Sequence, residues 1–193
     1  NEKITLLLSK KGWVKQRGGH GVDLSAVSFK EGDSLLQAVE TESANPINLL
    51  ASDGRAFSLN ITQIPSGKTD GVPLSSMCDF DPKVKPIALV AGPEKEEFFV
   101  CCDAGYGYIS NVGALSTRNK AGKAFFTLKE GEVLYRPLKL NQHFCCINDT
   151  SNKGLSFPAS DLRFADKGRG LQITPLKNGE KMKLETYISN GQS

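Results

Sequence analysis

The chain has 193 residues and a formal charge of +3, from 24 lysines and arginines against 21 acids, which excludes a polycation that coats nucleic acid by bulk charge. Hydrophobic residues make up 39% and charged residues 23%, and 19 glycines with 9 prolines make it turn-rich without low complexity, so a folded, strand-rich protein able to bury a core unaided is expected. The first apolar run, Leu6 to Leu8, is too short for a leader or a membrane span. Starting at Asn1 rather than Met and stopping at Ser193, the sequence reads as a piece of something longer.

In chain order, one pattern recurs four times: an apolar strand-like run, a polar turn with Gly, a second apolar segment, then a loop rich in Gly, Lys and Arg. The copies are 4–21, 47–74, 98–128 and 144–176. Turn glycines Gly12, Gly54, Gly105 and Gly154 are 42, 51 and 49 residues apart, and loop glycines Gly21, Gly71, Gly122 and Gly170 are 50, 51 and 48 apart. Between the copies, Ser34 to Val39, Val133 to Leu140 and Met182 to Ile188 follow tight turns and read as further strands. The best helical candidate, Asp33 to Glu42, matches the repeats and is read as strand. Alternation such as Phe57, Leu59 and Ile61 against Ser58 and Asn60 fits a β unit of about four short strands. Such a sheet cannot bury both faces alone, and radial stacking into a propeller does so. Residues 1–193 are therefore expected to form a single all-β domain with repeats at about 4–46, 47–97, 98–143 and 144–193.

The five cysteines are odd in number and include no C-x-x-C, which suits reduced, cytosolic thiols. Aligned on the turn glycines, Cys101 and Cys102 take the places of Leu50 and Ala51, so they are expected to be structural. His20 and His143 have no second ligand near in sequence, so no metal site is expected. Trp13 and Tyr106 read as packing residues, and the cluster Glu94, Glu96 and Glu97 as an exposed turn. Phosphate-binding, dinucleotide and nucleophile-elbow motifs are missing, so no reaction is expected of this segment.

Basic residues concentrate in the recurring loops. Residues 10–21 hold Lys10, Lys11, Lys15 and Arg17 with no acid, and 116–124 hold Arg118, Lys120 and Lys123. Residues 163–170 hold Arg163, Lys167 and Arg169 against Asp166, whereas 66–74 hold only Lys68 and Asp70. Separated cations beside glycines suit a phosphate backbone contacted without base reading. The bland alternative is a solvated face.

Lys15 to Gly21, KQRGGHG, resembles a degenerate form of the Q-R-R-G-G-K-G box of the first blade of the DNA gyrase A C-terminal domain. SKKGWVKQRGGHGVD at 9–23, DAGYGYISN at 103–111 and RNKAGKAFFTL at 118–128 resemble still more the paralogous family, the A-type subunit of bacterial topoisomerase IV. Gln16, Arg17, Gly18, Gly19 and Gly21 match the box; Lys15 stands just before Gln16, and His20 stands where the lysine would be. The resemblance implies a β-pinwheel, a propeller-like disc of about four blades that exchange strands, open or gapped. It implies a domain that binds and bends double-stranded DNA along a basic rim, presents the transported segment and tunes decatenation and supercoil relaxation. Catalytic tyrosine, metal-binding carboxylates and ATPase would lie elsewhere, so the domain itself takes no cofactor while its parent uses ATP and Mg2+. Implied partners are the N-terminal core of the same chain, the B-type subunit of topoisomerase IV in a heterotetramer and a chromosome-organising condensin, in the bacterial cytoplasm at the nucleoid and not at a membrane.

The expected phosphate contacts are Lys11, Lys15, Arg17, Arg118, Lys120, Lys123, Lys167 and Arg169, with His20, Arg55, Lys68, Lys153 and Arg163 as secondary ones. With fewer fixed charges in the box, bending without stable chiral wrapping is expected. The alternative is a protein-docking propeller whose basic loops are incidental.

Overall fold

The apolar runs become strands in the order of the repeat, as seen in a computed structural model that describes residues 1–140, 143–148, 154–157, 161–177 and 179–187. The first copy gives β1 (Lys3–Ser9), β2 (Trp13–Gly18) and β3 (Leu35–Glu42), so the helical candidate is indeed strand. The second gives β4 (Ile47–Ala51), β5 (Arg55–Leu59), β6 (Val72–Pro73) and β7 (Pro86–Ala91). The third gives β8 (Glu97–Cys101), β9 (Tyr106–Asn111), β10 (Lys123–Ala124) and β11 (Leu138–Lys139). The fourth gives β12 (His143–Asn148), β13 (Gly154–Phe157), β14 (Leu171–Gln172) and β15 (Met182–Tyr187). Short 3-10 turns complete the described residues, which contain no α-helix.

Each copy begins with an antiparallel hairpin, and in the first three the same turn closes it. The amides of Gly12, Gly54 and Gly105 donate to the carbonyls of Ser9, Ala51 and Cys102 at 3.1, 2.9 and 3.1 Å. Their φ angles are 86°, 86° and 87°, a left-handed conformation that glycine adopts without a Cβ clash. The repeat visible in sequence is thus a repeat of backbone geometry.

Among the described residues three sheets have four strands, in the orders β3-β1-β2-β6, β10-β5-β4-β7 and β11-β8-β9-β14, and β13-β12-β15 has three. In each four-stranded sheet the strand beyond the hairpin comes from the following copy: β6, β10 and β14. These donor strands have two residues each and enter through a glycine that lies against the hairpin's backbone. A Cβ on Gly71 would sit 2.4 Å from the Val14 carbonyl oxygen, on Gly122 2.8 Å from that of Ala56, and on Gly170 2.2 Å from that of Gly107. Gly21, the equivalent in the first copy, meets nothing within 4 Å, and Val22 and Asp23 belong to no strand. Leu24, which follows them, is 45% exposed, whereas Leu74 in the matching GVPLSS segment is 1% exposed.

Exchange is reflected in two compact units: residues 1–96 with 112–123, and 97–111 with 124–193. The first has a core of Leu6, Leu8, Leu49, Phe57, Ile64 and Leu74. In it the buried Asn48 donates to the Val112 carbonyl at 3.2 Å and accepts from Ser58 Oγ at 2.8 Å, while Ser58 Oγ takes the Thr117 amide at 2.8 Å. That relay fixes the base of the loop carrying Arg118 and Lys120. The second unit packs Phe99, Cys101, Phe157 and Met182. Cys78, Cys101 and Cys102 are buried and unbridged, as small apolar residues would be, and burial pushes the Cys78 thiol up to about 11 and raises that of Cys102. Cys145 and Cys146 lie in β12, and their side chains are outside the described ones.

One expected strand is mostly irregular. Of Val133 to Leu140 only β11 and an isolated bridge from Leu134 to Cys102 pair. The Tyr135 amide still donates to the Cys101 carbonyl at 3.0 Å, but Pro137 has no amide to give and the ladder breaks there. Met182 to Ile188 forms β15, which ends at Tyr187.

Candidate nucleic-acid interface

The box residues sit on β2 and the segment after it. Lys15, assigned by sequence to phosphate, is 1% exposed. Its ammonium donates to the Thr69 carbonyl at 2.7 Å and to that of Ser28, and lies 4.3 Å from the centre of the Phe29 ring. Burial lowers its pKa, Arg17 adds to the lowering, and Asp70 opposes it. Lys15 is therefore corrected from a DNA contact to an internal strut: its ammonium is already held by two carbonyls and its side chain is almost wholly buried. Gln16 Nε2 donates to the Ile64 carbonyl at 2.6 Å, and Arg17 Nη1 to that of Gly67. His20 stays exposed at its edge and donates from Nε2 to the Thr41 carbonyl at 2.8 Å.

Two other arginines are also withdrawn. Arg55 spends Nε and Nη2 on the Ala121 carbonyl, at 3.0 and 2.8 Å, and Nη2 also reaches that of Gly122 at 2.8 Å. It anchors the incoming donor strand. Arg169 pairs with Glu132 through two bonds of 2.5 and 2.9 Å, donates to the Thr127 carbonyl at 3.0 Å, and stacks 4.4 Å over the Tyr106 ring. The Arg169 bond, together with the Lys129 amide, holds the Glu132 carboxyl down to about 2 against the cost of burial. Both sequence assignments are corrected on the same ground: a guanidinium whose fork is filled by carbonyls or a carboxylate presents little to a phosphate.

The remaining loop cations point outward. Lys11, Lys68, Arg118, Lys120, Arg163 and Lys167 are exposed, and Lys123 is half-buried in β10. Lys153 lies outside the described residues. Lys68, Arg118, Lys120, Arg163 and Lys167 all occur in the loop just before a donor glycine, the same place in three successive copies. Asp70 and Asp166 share those loops; Asp70 is exposed as well.

An open cleft of about 620 Å³ lies beside the box, lined by Lys15, Arg17, Asp23, Ser28, Lys68 and Asp70. Asp23 and Asp70 balance Arg17 and Lys68 there, and the Lys15 ammonium is already held by two carbonyls, which leaves the cleft no strong preference for an anion. Sequence reasoning missed Gln16 as a carbonyl donor and Glu132 as the counter-ion of Arg169. It also missed Phe164, an aromatic 51% exposed between Arg163 and Lys167. Glu132 belonged to a Glu-Gly-Glu stretch that signals a turn, and nothing in the sequence says which cation a turn acid will meet.

Blades that exchange their outer strands, with a glycine-rich box at the first, define a β-propeller of the pinwheel type. A family model described as the DNA gyrase C-terminal domain, beta-propeller, matches residues 96–134 and 150–182. The A-type subunit of DNA topoisomerase 4 from Neisseria gonorrhoeae is 38% identical over 201 residues, 98% of this chain and 26% of that one. The Escherichia coli K12 protein of the same name is 30% identical over 191 residues, 98% and 25% of the two chains. The solved structure of the E. coli ParC C-terminal domain superposes with a TM-score of 0.88 at 28% identity, covering 97% of this chain and 80% of that one. The DNA gyrase A C-terminal domain shares the fold, with a TM-score of 0.63 at 16% identity over 97% and 66%. Over nearly its whole length the chain is similar to A-type topoisomerase IV subunits and to the solved C-terminal domain of one of them. It spans about a quarter of the length of the curated relatives it matches.

Proposed function

We propose that this domain is a non-catalytic, sequence-independent DNA-binding and DNA-bending element of a type IIA topoisomerase. In this reading it engages the segment to be transported and tunes decatenation and supercoil relaxation. The observation that carries the reading is the recurrence of exposed cations, Lys68, then Arg118 and Lys120, then Arg163 and Lys167, at one place in three copies. Cations spaced by a structural period suit a charged backbone better than a small ligand. The parent would work with ATP and Mg2+, through its N-terminal core and the B-type subunit in a heterotetramer, with a condensin as a further partner. Its place would be the bacterial cytoplasm at the nucleoid; among the described residues no helix is long and apolar enough to cross a membrane.

The test is fluorescence anisotropy of the chain with a duplex of about 40 base pairs across salt concentrations, beside Arg118→Glu with Lys120→Glu. The expected result is micromolar or tighter affinity that falls steeply with salt and is weakened equally on unrelated sequences by the variant. A second reading, protein docking, draws on Val133, Phe164 and Leu171, which are 53%, 51% and 45% exposed. Absence of DNA binding at low salt would favour it.

A further inference from the structure

Three consecutive box side chains and one backbone amide all end on the same loop. Lys15 takes the Thr69 carbonyl, Gln16 that of Ile64, and Arg17 that of Gly67, while the Gln16 amide donates to the Pro65 carbonyl at 2.9 Å. Four carbonyls between 64 and 69 are thus held by β2. The loop then returns to β2 at Gly71, where a Cβ would meet the Val14 carbonyl. Lys68 is the one basic side chain of this loop; it is exposed, and the carbonyls on either side of it, those of Gly67 and Thr69, are both held. Its neighbours on the chain cannot move without breaking a bond to the box.

The choice of lysine at position 15 fits this geometry. An ammonium has three donors and no acceptor, and here it meets two carbonyls and the face of a phenyl ring. An apolar side chain of the same length would leave the Ser28 and Thr69 carbonyls without these donors. A loop held in place before binding loses less conformational freedom when its lysine meets a phosphate, and that saving appears as affinity.

We propose that the box of this chain is a carbonyl clamp that presents Lys68 to DNA phosphate, with Lys15 as a positioning residue that touches no DNA. The inference rests on the DNA-binding reading above and adds to it which blade-one cation makes the contact and what aims it. Lys11 is exposed in the hairpin turn of the same copy, its ammonium 3.4 Å from where a Cβ on Gly32 would lie, and serves as the uncoupled control.

The experiment is a double-mutant cycle on the whole 193-residue chain, read by duplex affinity and by its salt slope. Lys68→Ala is expected to weaken binding about fivefold, the order of one charge-assisted contact, and to make the slope shallower by about 0.9, one phosphate. Lys15→Met should weaken it to a similar degree, the double variant should be no worse than either single, and Lys15→Arg should restore most of the loss. Lys11→Ala combined with Lys15→Met should multiply. If Lys15→Met costs the fold, Lys15→Gln, which keeps donors for a carbonyl, takes its place in the cycle. Losses at 15 and 68 that multiply, with the slope falling twice, would make Lys15 a direct contact and overturn the proposal; so would unchanged affinity in Lys15→Met. Amide hydrogen exchange on the same variants separates the two levels. Faster exchange at 64–71 than at 47–59 in Lys15→Met, with no DNA binding by the parent chain, would leave the clamp standing while overturning the DNA reading and the role of Lys68.

Discussion

Arg169 shows how a loop arginine is withdrawn from solvent. Its guanidinium lies between the Tyr106 ring and the Glu132 carboxylate, and the pair's side chains are only 18% and 11% exposed. Glu132 therefore titrates well below its ordinary range, down to about 2. A carboxyl whose folded pKa is depressed stabilises the fold fully above its unfolded pKa, near 4.5 for this residue, and loses that contribution as the pH falls toward 2. Glu132→Gln is accordingly expected to lower Tm at pH 7 and to converge on the parent chain between pH 4.5 and pH 2, in thermal melts followed by circular dichroism. A Tm gap that is constant over that window would show that the ion pair contributes nothing to it. Asp103 forms a further ion pair, with Lys181 at 3.3 Å, which Glu132→Gln leaves in place. The comparison must therefore be between variant and parent rather than between pH values.

At the scale of the element, the exchanged strands are too short to persist alone, and each depends on one glycine. Gly170 has φ 70° and would place a Cβ 2.2 Å from the Gly107 carbonyl oxygen, whereas Gly131, at φ 81°, has open space around it. Gly131→Ala bears the left-handed backbone alone, about 1 kcal/mol, and Gly170→Ala adds a clash with backbone that cannot swing away, about 2–4 kcal/mol in total. Urea denaturation should rank them in that order, and equal costs would mean β14 contributes little. The hairpins were legible because a turn glycine and its apolar run are local signals, and Gly12, Gly54 and Gly105 share one geometry to within a degree. Exchange was not legible: β6, β10 and β14 have two residues each, and two residues carry no alternation to read. The same locality explains the misassigned cations. Lys15, Arg55 and Arg169 sit in polar, glycine-bearing stretches just as Lys68 and Lys120 do, and only the carbonyls and the carboxylate brought in from distant segments separate the two groups.

For the whole molecule, that separation sets a number. A net charge of +3 gives no general attraction to DNA, so the DNA-binding reading rests on those expected lysine and arginine contacts that are exposed among the described residues, the six Lys11, Lys68, Arg118, Lys120, Arg163 and Lys167. Each neutralised phosphate contributes about −0.9 to the slope of log affinity against log salt, so these six allow a slope of about −5. Were Lys15, Arg55 and Arg169 also contacts, the limit would be about −8. Stable chiral wrapping needs contacts along a long path, and six suit a bend better. Anisotropy titrations at several salt concentrations should therefore give a slope no steeper than about −5, and the domain should leave the linking number of a relaxed, ligated plasmid almost unchanged. A slope near −8 that Lys10→Ala, Arg17→Ala and Lys123→Ala leave unchanged would mean that DNA strips Arg169 from Glu132 and Arg55 from the donor strand, and blade exchange itself would then respond to DNA.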